Sequence, residues 1–330
     1  MKEIEMATRA PTSYTAAIPG LAGGRSWLWF IVTLGALFSL SICAVVAVVG
    51  FAFVNQLAQA AQLPAPKYSE ATQHGISYGP LPAETLDLCT PVGAKTLRPG
   101  VIFIHGGGWT TGDQTSYDSA CATLAKYGFV GATINYRLAP AHRWPAQIVD
   151  AQLAVRWLRA HASVYNLDPQ RLCAWGDSAG AHLAVYLGVS YHIHPGDEQA
   201  LDADQSPHVS CVVDGFGPVD LTTIHTPVAE QALPLLFGVT YQQAPTLYRD
   251  GSPLFLVSPQ AAPTLIIQGT RDTIVPPSQS LALRAALQRN HAPEQYVSYD
   301  GGHGFTGQSK SQINAILITI FKFLLKQERP

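Results

Sequence analysis

Four short stretches carry the residue types of acyl-transfer chemistry, and their order along the chain lets them act together. The first is Gly176-Asp177-Ser178-Ala179-Gly180, a G-x-S-x-G turn. The apolar run Leu172-Cys173-Ala174-Trp175 leads into it, and the helix-forming run at 181–187 leads out. In a strand, turn, helix context the flanking glycines allow close backbone approach while the serine hydroxyl projects above the sheet, so Ser178 is the candidate nucleophile. A serine hydroxyl is a weak nucleophile at neutral pH. It needs an imidazole base, and the imidazole needs a carboxylate to fix its tautomer and stabilise its charged form. Asp272, in the 269–276 stretch after the apolar run Leu265-Ile266-Ile267, supplies the carboxylate. His303, in Asp300-Gly301-Gly302-His303-Gly304-Phe305, supplies the base.

The fourth stretch is His105-Gly106-Gly107-Gly108-Trp109. Acyl transfer puts negative charge on the carbonyl oxygen in the tetrahedral state, and each preorganised backbone N–H that faces it contributes roughly 3–4 kcal/mol. Consecutive glycines let the backbone itself face a substrate. One donor is expected from the residue after the nucleophile, Ala179, and the others from the glycine loop, Gly107 and Gly108. A phosphate cradle would continue G-K-[ST], whereas Trp109-Thr110-Thr111 follows here. Trp109 is a candidate wall of the acyl site or a packed aromatic beneath the loop. Asp177 and His182 are expected to bond within the elbow and its helix.

These residues need a scaffold that brings strand ends together. Val101-Ile102-Phe103-Ile104 reads as a strand buried on both faces. A helix at 118–127, a strand at 130–135, a helix at 148–161 and the elbow strand at 172–175 follow. Later strands are expected at 209–216, 264–268 and 295–299, and later helices at 280–289 and 313–326. Such alternation implies a mostly parallel sheet with right-handed crossovers and helices on both faces. Residues 68–88 suit edge strands, and each chemical residue falls just past a strand's C-terminal end. The pair His192 and His194 lies beside Pro195-Gly196-Asp197 and reads as a polar loop.

Composition sets the outer limits. The 330 residues fit one large α/β domain, and 47% hydrophobic against 13% charged residues suits a buried sheet plus a membrane-inserted segment. The net charge of -2, with no Lys/Arg block, gives no footprint for a nucleic-acid partner. Neither C-x-x-C nor H-E-x-x-H occurs, so no zinc, redox or other metal site is signalled, and no cofactor is expected.

The N-terminal region reads as a disordered tail (1–27), an uncharged apolar stretch (28–54) and a linker (55–66). The apolar stretch exceeds the roughly 20 residues that a helix needs to span a bilayer. Arg25 precedes it, and no Lys or Arg follows until Lys67, so the tail should face the cytoplasm and the 67–330 domain the outside. Ala58-Gln59-Ala60 has the form of a cleavage site, so a removed signal sequence is the competing expectation. Both export the domain. Besides Cys43 in the apolar stretch there are Cys89, Cys121, Cys173 and Cys211. No pairing among the four is assigned, and Cys173 and Cys211, in expected core strands, read as small hydrophobes.

From about Lys67 onward the chain resembles the α/β-hydrolase superfamily, and within it the esterase/lipase group with HGGGW and GDSAG motifs. Tyr136-Arg137-Leu138-Ala139-Pro140, His142-Arg143-Trp144-Pro145-Ala146 and Asp150 match that group's segment between oxyanion loop and elbow. Asp214-Gly215-Phe216-Gly217-Pro218-Val219-Asp220-Leu221 and the 269–277 stretch are most similar to the bacterial feruloyl/acetyl esterase-like (BD-FAE-like) branch. The resemblance implies an α/β-hydrolase fold and a serine carboxylesterase acting on a small-molecule ester of short-chain or aryl type. A peptidase, an amidase or an acyltransferase on the same fold is the alternative. Only 50 residues (55–104) separate the apolar stretch from His105, so a minimal cap is implied, with a small lid drawn from 190–206 and 222–252. Oligomeric state is not fixed by the sequence.

Overall fold

Val101, Ile102, Phe103 and Ile104 are fully buried because the strand that contains them has neighbours on both sides and helices on both faces. The computed structural model describes residues 63, 65–197 and 201–326. The expected tail, the apolar stretch, the cleavage site and most of the linker lie outside the described residues. Among the described residues no helix is long and apolar enough to cross a membrane.

Eight strands form one sheet: β1 (Glu70–Ser77), β2 (Thr85–Pro91), β3 (Arg98–Ile104), β4 (Val130–Ile134), β5 (Leu167–Asp177), β6 (Cys211–Gly215), β7 (Thr264–Gly269) and β8 (Glu294–Tyr299), in spatial order 1-2-4-3-5-6-7-8. β1–β2 and β2–β4 are antiparallel; every other pairing is parallel. Among the described residues seven α-helices accompany them: α1 (Asp118–Lys126), α2 (Ala146–Ala160), α3 (Ala179–Val189), α4 (Pro227–Phe237), α5 (Pro245–Asp250), α6 (Pro277–Arg289) and α7 (Lys310–Lys326). This is the expected α/β-hydrolase architecture, with helix and strand ends within three residues of most expectations.

Strand alternation divides the core into two layers. Ile102, Ile104, Ala174, Val212 and Ile266 pack with Ile148, Leu183 and Leu287 from α2, α3 and α6 on one face. Val101, Phe103, Trp175, Val213 and Leu265 pack with Leu124 and Ile320 from α1 and α7 on the other. Burying both faces explains why the central strands read as continuous apolar runs, whereas the edge strand β1 is largely exposed.

Two expectations change. Cys173 and Cys211 are not free small hydrophobes: they face each other in register on β5 and β6 and form a disulfide. Cys89 and Cys121 form a second, from β2 to α1. Neither pairing is visible in a single sequence, because it depends on strand order. The 222–252 region is not only loop; it holds α4 and α5. Thr226 caps α4 by accepting the Ala229 N–H at 3.2 Å, Pro227 occupies its first turn, and Gly238 ends it in a left-handed conformation with φ 76°. These are helix start and stop signals. Pro234 inside the helix masked them.

His194 is buried against Trp144 and Tyr186, and its backbone N–H donates to Gln152 Oε1 on α2 at 2.7 Å. Both histidines lie in the expected loop, His192 exposed and His194 buried.

Candidate active site

Ser178 sits between β5 and α3 with φ 51° and ψ −119°, a conformation that costs a non-glycine residue roughly 1–3 kcal/mol. The surroundings hold it there. Its N–H donates to the Gly215 carbonyl of β6 at 2.8 Å. A side chain at Gly180 would overlap the Ile104 carbonyl oxygen, and one at Gly176 would overlap the Gly180 backbone. Both glycines are therefore required by close approach, as the motif implies.

The Ser178 hydroxyl lies 2.9 Å from His303 Nε2, and His303 Nδ1 lies 2.7 Å from Asp272 Oδ2. A carboxylate only accepts, so Nδ1 carries the hydrogen and Nε2 is left to accept the serine proton. Asp272 follows β7 and is buried. Its other oxygen, Oδ1, accepts the N–H groups of Ile274 and Val275 at 2.9 Å each. Gln268 Nε2 reaches Oδ2 at 3.3 Å, and Gln268 Oε1 accepts the Ser280 hydroxyl at 2.6 Å. Three side chains separated by up to 125 positions are thus joined end to end at the carboxyl rim of the sheet.

Phe216 is a site residue that sequence reasoning missed. Held at φ 48°, it places its ring 4.8 Å from the His303 ring at 65°, with Phe305 edge-on behind it. Its position one residue past β6, inside the Asp214-to-Leu221 stretch, was the available signal. Gln268 was missed too, because a buried glutamine inside an apolar strand has no pattern of its own.

The glycine loop follows β3. Gly107, Gly108 and Trp109 all have positive φ, at 104°, 60° and 60°. Gly107 turns back on itself: its carbonyl accepts the Thr110 and Thr111 N–H groups at 3.1 Å, and a side chain there would overlap the Thr111 carbonyl. Gly108 is open, with Ala232 Cβ the nearest atom to a Cβ placed on it, at 3.9 Å. A hollow of about 370 Å³, mouth included, is lined by Gly108, Trp109, Ser178 and Ala179 together with Pro218, Leu221, Ile224, Val228, Ala229, Ala232, Leu233, Ile274 and Val275. Gly108 and Ala179 therefore meet Ser178 there, and Gly107 directly precedes Gly108 in the loop. Ala179 opens α3, so its N–H has no acceptor within the helix.

Buried polar groups lock the loop and the elbow together. Asp177 Oδ1 accepts the Tyr117 hydroxyl at 2.8 Å and the Gly106 N–H at 3.1 Å. Burial pushes its carboxyl up from the usual range, against these bonds. His105 donates Nδ1–H to the Gly106 carbonyl at 2.8 Å and stacks on Tyr136 at 4.3 Å. Burial lowers His105 to about 4, so it stays neutral and serves as a strut. Arg137 forms a bidentate pair with buried Asp150, at 2.6 Å for the Nη2–Oδ1 contact, which ties the segment after β4 to α2.

The arrangement can activate a hydroxyl, stabilise an oxyanion and receive an apolar group. A family model described as BD-FAE matches residues 86–287. Esterase LipC of Mycobacterium tuberculosis is 32% identical over 241 residues, which cover 70% of this chain and 59% of LipC. The probable carboxylic ester hydrolase LipM of the same organism is 32% identical over 190 residues, covering 55% of this chain and 43% of LipM. The chain thus spans only about half the length of these curated relatives. A solved structure described as a truncated form of a carbohydrate esterase from gut microbiota superposes with a TM-score of 0.69 at 29% identity, covering 80% of this chain and 98% of that chain.

Proposed function

The chain belongs to the BD-FAE family, and from that premise we propose that it is a serine carboxylesterase acting through Ser178, His303 and Asp272. The observation that carries this reading is the unbroken hydrogen-bonded chain from the Ser178 hydroxyl through His303 to Asp272. Ser178 Oγ attacks the ester carbonyl carbon while its proton passes to His303 Nε2. The oxyanion that forms accepts N–H bonds from Gly107, Gly108 and Ala179. His303 Nε2 then gives its proton to the departing alkoxide, leaving an acyl group on Ser178. Water, deprotonated by the same nitrogen, attacks the acyl carbon and releases the acid and the free serine. Asp272 keeps Nδ1 protonated and stabilises the imidazolium.

The apolar side chains from 218–233 and 274–275 form the walls of the acyl site, with Trp109 among them. Apart from the Ser178 hydroxyl, the lining side chains offer only the Trp109 indole N–H, which is donated to His182, and this favours unsubstituted acyl groups of modest length. Turnover of p-nitrophenyl esters from acetate to octanoate by the full chain, set against the matching anilides, tests the reading. Ester hydrolysis abolished in Ser178→Ala is the expected result. Equal turnover by that variant, or anilides cleaved faster than esters, would overturn it.

We further propose that residues 28–54 anchor the chain in a membrane, with 67–330 outside the cytoplasm. The support is the length and apolarity of that stretch, the Arg25-to-Lys67 charge asymmetry, and two disulfides of the kind that persist in oxidising compartments. Membrane fractionation with protease added from outside tests this. A full-length chain in the soluble fraction would contradict it, and a shortened one released outside would indicate cleavage near Ala60.

A further inference from the structure

His182, in the helix that follows the nucleophile, has no part in the chemistry above, yet it is fully buried and both its ring nitrogens are engaged. Nε2 lies 2.7 Å from the Gly251 carbonyl oxygen, at the end of α5. A carbonyl only accepts, so Nε2 carries the hydrogen. Nδ1 is then a bare acceptor, and it lies 3.3 Å from Trp109 Nε1, an atom that only donates. The two contacts require one tautomer of the neutral ring, and burial lowers this histidine to about 4, in the direction that keeps it neutral.

Both ends of this bridge belong to the site. Trp109 follows Gly108 directly and is held at φ 60°, a backbone conformation that a tryptophan does not adopt without restraint. Its ring meets the His182 ring edge-on at 5.3 Å, and it lines the same hollow as Ser178. Gly251 closes the segment whose first helix, α4, supplies the opposite wall. Trp144 strengthens the same junction by donating its backbone N–H to the Leu236 carbonyl at 2.9 Å and its indole N–H to Asp250 at 3.0 Å.

We propose that His182 is a positioning residue for the oxyanion hole: through Trp109 it fixes the backbone of Gly108, and through Gly251 it ties that loop to the α4–α5 cap. The proposal rests on the esterase reading above. Displacing an oxyanion donor weakens an interaction made in the transition state and not in the ground state, so the loss falls on kcat with KM little changed. A shift on the order of 1 Å can cost about 10²-fold.

The test is a mutant cycle on the full chain with p-nitrophenyl butyrate, with thermal unfolding recorded for every protein. His182→Leu and Trp109→Phe should each lower kcat by about 10- to 100-fold with KM within about twofold, and the double variant should be no worse than the poorer single one. His182→Asn places an amide oxygen near the Nδ1 position. It should recover most of the rate in the wild-type background and none in the Trp109→Phe background. A folded His182→Leu protein with wild-type kcat, or single losses that multiply in the double variant, would overturn the proposal while leaving the esterase reading intact. If His182→Leu does not fold, the Asn and Phe variants and their double carry the same test. A wild-type protein with neither turnover nor labelling of Ser178 by a phosphonate would sink the esterase reading first and this proposal with it.

Discussion

Asp272 meets His303 through one carboxylate oxygen, Oδ2 to Nδ1 at 2.7 Å, while its other oxygen is occupied by the backbone N–H groups of Ile274 and Val275. The carboxylate cannot rotate away without breaking those two bonds. In Asp272→Asn the amide must either turn its NH2 toward two N–H donors or force the wrong tautomer on the imidazole. The expected outcome is a fall in kcat of about 10³- to 10⁴-fold in a protein that still folds. Steady-state kinetics beside a melting curve check it; a loss under tenfold would mean that the carboxylate does not set the tautomer.

Three buried groups give stability a pH dependence of two opposing signs. His105 and His182 are lowered by burial to about 4, against an ordinary value of 6.5. The unfolded chain therefore binds more protons between those values. Stability is complete above 6.5 and is lost as pH falls toward 4, by about 3 kcal/mol for each histidine. Asp214, fully buried with Oδ2 unpaired, is raised to about 7 from 3.8, so its share is complete below 3.8 and is lost as pH rises through 7. Asp214→Asn should accordingly gain stability relative to wild type between pH 5 and pH 8. Urea unfolding at both values decides, and a constant difference would contradict the assignment.

The two disulfides close separations of 32 and 38 residues. On the chain-entropy account each contributes about 3–4 kcal/mol through the unfolded state. Cys173→Ala/Cys211→Ala should lower the urea midpoint accordingly, and a reductant should have a smaller effect on this variant than on wild type. Free thiols at all four positions in the denatured, unreduced protein would contradict the pairing.

Ala232 projects from α4 toward Gly108 across the hollow. Replacing it by Phe should fill the acyl site, lowering kcat/KM for octanoate esters by at least about tenfold relative to acetate, since the longer chain loses the apolar surface it would cover. An unchanged ratio would place the acyl chain elsewhere.

The sheet and the three distant side chains were legible because each leaves a local mark. An apolar run buried on both faces, a glycine-flanked serine and a histidine just past a strand need no knowledge of what lies across the fold. The Cys173–Cys211 bond, the Phe216 contact on His303 and the Gln268 bond to Asp272 were not legible, because each depends on which strands are neighbours. Helix α4 falls between these cases. Its Thr-Pro start and Gly stop were present in the sequence, but Pro234 and the surrounding loop residues outweighed them.

The account depends on Ser178 being the nucleophile, and covalent trapping tests that most directly. Exposed to an alkyl phosphonate with a p-nitrophenoxide leaving group, the protein should gain one adduct, mapped by peptide mass spectrometry to Ser178. Ser178→Ala should gain none, and His303→Ala should react far more slowly. An adduct on another residue with loss of activity, or undiminished ester turnover by Ser178→Ala, would contradict the account.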